Sequence, residues 1–69
     1  MNQELIDAFG LQHWSTGTWV VSSQTSVVAF VRCGPDGRWV YNELSGRPNI
    51  YGETAEAVLA SAALQGRLA

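Results

Sequence analysis

Val27–Leu44, VVAFVRCGPDGRWVYNEL, carries the pattern that decides the fold. Two runs rich in β-branched and aromatic residues flank Gly34-Pro35-Asp36-Gly37, where proline presets φ at the first corner, aspartate suits the second and glycine accepts positive φ. This predicts a tight hairpin between strands Val27–Cys33 and Arg38–Leu44. Loop length sets which side chains share a face, because strand side chains alternate with a period of two. A four-residue loop places Arg32 opposite Trp39, Phe30 opposite Tyr41 and Val28 opposite Glu43, with Val27, Ala29, Val31, Val40 and Leu44 on the other side. A three-residue loop with a glycine bulge groups Trp39 and Tyr41 with Val31 and Cys33 instead. Either register keeps Trp39 and Tyr41 together and leaves large apolar groups on both sides of the sheet.

Outward from the hairpin, Thr18–Ser22 reads as a third strand, stopped by Ser22-Ser23-Gln24-Thr25, and Gln12–Gly17 shows no period and reads as a loop. Ser45–Asn49 is a loop whose Pro48 cannot continue a central strand, while Ile50 and Tyr51 suit a brief edge pairing. Alanine-rich Glu53–Gln65 predicts the principal helix, with Thr54 as cap, Glu53 and Glu56 near the positive end and Gly66 as terminator. Its stripe of Ala55, Val58, Leu59 and Ala62 is small enough to lie close to a sheet. A shorter helix runs from an Asn2 cap to Phe9, stopped by Gly10; under ~12–15 residues, it must dock on the rest of the chain. The expected fold class is α+β: a short N-terminal helix, a three-stranded antiparallel sheet and a C-terminal helix packed on one sheet face, in a single domain spanning 1–69.

The 69 residues are 46% hydrophobic and 14% charged, apolar enough to collapse and too few for a second domain. Four arginines, at 32, 38, 47 and 67, oppose six acids for a net charge of −2, so no basic excess draws phosphate or anionic lipid. Lysine is absent, and guanidinium groups suit specific contacts better than diffuse attraction. No apolar run reaches the ~18–20 residues of a membrane span, and acids stand in Met1–Phe9 where a secretory signal carries cations. The expectation is a cytoplasmic protein without a membrane partner. Cys33 is the only cysteine, which excludes an internal disulfide and a multi-thiolate metal site, and its expected role is a small apolar filler.

His13 is the only histidine, next to Trp14 with serines scattered elsewhere, so no nucleophile relay is legible. The histidine, the cysteine and the dispersed acids lack metal-ligand spacing, and without lysine there is no phosphate-gripping loop. The chain is therefore expected to be a non-enzyme with no cofactor and no metal. Gly46-Arg47-Pro48 matches the centre of an AT-hook, but Ser45 and Asn49 stand where cations should flank it, so it reads as a turn. The helix, three strands, helix layout resembles double-stranded RNA-binding domains, and aromatics on a sheet resemble single-strand readers. The last helix, however, opens acidic, Glu53-Thr54-Ala55-Glu56, where phosphate would lie. A nucleic-acid-binding module is the alternative function, and a small enzyme comes third.

One long helix can cover only one sheet face, so the other must be covered by the N-terminal helix, a second copy or a foreign partner. The expected partner-binding residues are Phe30, Arg32, Trp39, Tyr41 and Glu43 with Arg47, because aromatic and arginine clusters anchor interfaces, each hot spot contributing ~2 kcal/mol or more. Small size, mild acidity, lack of catalytic groups and a mixed fold resemble small proteins of phages and other mobile elements, including anti-CRISPR inhibitors. That resemblance implies an inhibitor or adaptor, alone or as a homodimer, that occludes a protein partner such as a host nucleic-acid-processing complex. It carries no motif, so it assigns no residue. Six dispersed acids favour hydrophobic occlusion over mimicry of a DNA backbone.

Overall fold

The computed structural model describes residues 1–66, so Arg67 lies outside the described residues. The chain runs α1 (Gln3–Phe9), β1 (Leu11–Ser15), β2 (Thr18–Ser23), β3 (Ser26–Cys33), β4 (Trp39–Glu43), β5 (Ile50–Gly52) and α2 (Ala55–Leu64). The strands form one five-stranded sheet in the order β1-β2-β3-β4-β5, each antiparallel to the next. The class is α+β as expected, with five strands in place of three. β5 is the edge pairing that Ile50 and Tyr51 suggested, whereas β1 occupies a segment that reads as a loop. The reason is its position: β1 is an edge strand in which only Leu11 is buried, so Gln12 to Ser15 need no apolar alternation.

The central hairpin adopts the second of the two registers. The Gly34 N–H donates to the Arg38 carbonyl at 2.7 Å, leaving Pro35-Asp36-Gly37 as a three-residue loop closed by the Gly37 N–H on the Gly34 carbonyl at 3.0 Å. Gly37 takes φ 83°, the left-handed position such a loop requires, and the Asp36 Oδ1 accepts from the Arg38 N–H at 3.1 Å. The pairs are therefore Cys33↔Trp39, Val31↔Tyr41 and Ala29↔Glu43. Trp39 and Tyr41 share the face of Val31.

That face holds the core. Val21, Ala29, Val31 and Tyr41 from the sheet meet Ala55, Val58, Leu59 and Ala62, the full stripe expected of α2, which lies across β3, β4 and β5. The Thr54 Oγ1 accepts from the Ala57 N–H at 3.0 Å, capping α2. α1 packs on β1 and β2 and adds half-buried Leu5, Ile6 and Phe9 to the same core. It does not cross the opposite face, one of the three coverings considered. The Asn2 Oδ1 accepts from the Leu5 N–H at 2.9 Å to start α1, and Gly10 at φ 60° ends it and turns the chain directly into β1. Leu11 then enters the core, so the apolar stripe of α1 falls on the side already occupied by α2.

Candidate interface on the open sheet face

With both helices on one side, the register fixes what faces outward. The pairs Thr18↔Arg32, Val20↔Phe30, Phe30↔Asn42, Arg32↔Val40 and Val40↔Tyr51 place these seven side chains together on the helix-free face. Trp14 joins them from the bulge of β1, where the register shifts between His13 and Ser15. Its ring meets Phe30 edge-on, 6.3 Å between centroids at 84°, the geometry that aligns a positive ring edge with a negative ring face. The contact spans β2, and Val20 in that strand is only 2% exposed although no helix lies over it. Trp14 itself is 70% exposed and Tyr51 58%.

Tyr51 is held from two directions. The Arg38 guanidinium lies 5.1 Å from the centre of its ring, and the Asn49 Nδ2 donates to its hydroxyl at 3.5 Å. Asn49 in turn accepts from the Asn42 Nδ2 at 2.9 Å, so an amide pair borders the aromatic surface. Charge is segregated between the two sides of the molecule. Arg32 and Arg38 serve the open face, whose outward strand side chains include no carboxylate. The acids are placed elsewhere: Glu4 and Asp7 on α1, Asp36 at the hairpin tip, Glu43 on the helix side, and Glu53 and Glu56 around the start of α2. A chain of net charge −2 thus presents a locally cationic aromatic face.

The structure divides the expected partner-binding residues. Phe30 and Arg32 lie on the open face, but Tyr41 is fully buried on the side of α2 and Trp39 packs half-buried against the same core. Glu43 is on the helix side, where its Oε1 accepts from the Ser45 Oγ at 2.9 Å and lies 3.7 Å from the Arg47 Nε. Glu43 and Arg47 thus brace the loop after β4 at a separation that contributes little to stability. The expectation of one shared patch is corrected by the three-residue loop, which rotates Trp39, Tyr41 and Glu43 to the other side. Trp14, Arg38, Val40, Asn42 and Tyr51 take their place. All follow from alternation once the register is known, Trp14 two residues on from Gln12 opposite Val20; it is missed because β1 reads as a loop.

Elsewhere, Cys33 is exposed rather than a buried filler, with its Sγ 3.6 Å from the Gly34 carbonyl. Cys33 is the last residue of β3 and, unlike its partner Trp39, does not pack against the core, which explains the departure. His13 is exposed, and its ring lies 4.9 Å from the Trp19 ring. Among the described residues no three His, Cys, Asp or Glu side chains converge to hold a metal ion, and no helix is long and apolar enough to cross a membrane. No family model matches the chain, and neither a curated protein nor a solved structure matches it.

Proposed function

We propose that this protein is a non-catalytic binding module that engages a protein partner through its open sheet face and occludes the surface it covers, as the resemblance to anti-CRISPR inhibitors implies. One observation carries the reading: exposed Trp14 and Tyr51 flank half-buried Phe30 on the face that neither helix covers. Aromatic and arginine side chains with depleted lysine and carboxylate are the composition of an interface centre. A monomer that needed nothing on this face would gain solubility from polar residues at positions 14 and 51. A nucleic-acid partner is the second reading, favoured by the placement of Arg32 and Arg38 beside those rings.

Tagged wild-type protein and a Trp14→Ala, Tyr51→Ala double variant, recovered from the native host in moderately high salt, test the reading. The expected result is a protein species retained by the wild type and reduced about tenfold or more by the variant, since removing two anchors costs ~2 kcal/mol or more. Equal recovery from both would overturn it. Nucleic acid retained at low salt and lost steeply as salt rises would transfer the function to the second reading.

A further inference from the structure

Five strands at ~4.8 Å spacing and about five residues in length give a face of roughly 400 Å². A standard interface takes ~800 Å² from each partner. A short segment can cover a flat footprint of that size. A face-to-face dimer has a fault of charge: it would bring together four guanidinium groups, Arg32 and Arg38 from each copy, with no strand carboxylate on either face to meet them.

Charge complementarity then selects the chemistry of the segment. Arg32 and Arg38 border an apolar strip made of Val20, Phe30 and Val40, with Trp14 and Tyr51 standing above it on either side. We infer that this face binds a short acidic segment of a partner protein, with apolar side chains of the segment laid on the Val20, Phe30 and Val40 strip beside Trp14 and carboxylates on Arg32 and Arg38. The inference rests on the binding-module reading and adds the partner's chemistry to it. Guanidinium groups grip carboxylates bidentately, and an apolar floor around them raises the strength of that contact above its value in open water. A nucleic-acid strand fits less well, because two arginines are few for a phosphate backbone.

A display library of random short peptides selected on immobilised wild-type protein tests this. Enriched peptides are expected to carry Asp or Glu beside an aromatic or branched apolar residue. A synthetic copy of the most enriched peptide should bind about tenfold or more weakly to Arg32→Glu and to Arg38→Glu, and more weakly as salt rises. Both arginines are exposed, so these variants should fold, and an unchanged amide NMR spectrum away from the two sites checks that they do. Enriched peptides that lack acids, and whose binding falls with Trp14→Ala but not with Arg32→Glu, would overturn the acidic segment while leaving the binding module standing. Selection of no peptide sensitive to Trp14→Ala would overturn the inference, and the host co-purification would then decide the broader reading separately. Oligothymidylate bound in an Arg32-dependent, steeply salt-sensitive way would overturn it in favour of nucleic acid.

Discussion

Tyr41→Ala is expected to leave much of the chain unfolded in water at room temperature. Tyr41 is fully buried, the largest such side chain among the described residues, and sits in β4 between Val31 of β3 and Ile50 of β5 with α2 packed on that strand. Replacing a large buried aromatic by alanine costs ~3–5 kcal/mol through lost transfer energy and the cavity left behind. A chain of this size has only ~3–5 kcal/mol of net stability to lose. Far-UV circular dichroism with urea titration gives the answer directly. Trp14→Ala is the matched control: that ring is 70% exposed, so its removal should cost about 1 kcal/mol or less. A Tyr41→Ala protein that unfolds at the wild-type urea midpoint would place Tyr41 outside the core and return it to the candidate interface.

Gly10→Ala should cost about 2–4 kcal/mol, because two penalties coincide at one residue. Gly10 has φ 60°, where alanine is strained, and an added Cβ would stand 2.5 Å from the Ser22 carbonyl oxygen of β2. That oxygen belongs to backbone tied down beside Gly10, whose own carbonyl accepts from the Ser22 N–H at 3.2 Å. The overlap can be relieved only by moving α1 away from β2. Gly37→Ala isolates the conformational part, since Gly37 has φ 83° but nothing within 4 Å of an added Cβ, and it should cost only ~1 kcal/mol. Equal losses in the two variants, measured by urea titration, would mean that α1 is not seated against β2 as described.

Much of this fold is written in local chemistry. Asn2 and Gly10 bound α1, Thr54 caps α2, and the stripe Ala55, Val58, Leu59, Ala62 is the surface that α2 buries, because each depends on residues within a turn or two of one another. The central hairpin was legible in position but not in register. Gly34-Pro35-Asp36-Gly37 accommodates two loop lengths, and the choice follows from the Gly34–Arg38 pairing that lets Gly37 take its left-handed conformation. That single choice moves Trp39, Tyr41 and Glu43 from one face of the sheet to the other, which is why the candidate site was only partly legible. β1 was hidden for a different reason. An edge strand with one buried residue has no periodicity to read, and the contact of Trp14 with Phe30 across β2 is a tertiary property of that pairing.

Whether the sheet has one covered face and one open aromatic face is tested most directly by proton–proton nuclear Overhauser contacts in the folded wild-type protein. The expected pattern links the Tyr41 ring to methyl groups of α2 and the Trp14 ring to Phe30, with no contact from Phe30 or Tyr51 to either helix. Contacts from the Phe30 ring to Leu59, or to Leu5 and Phe9 of α1, would contradict it and close the face on which the proposed function depends.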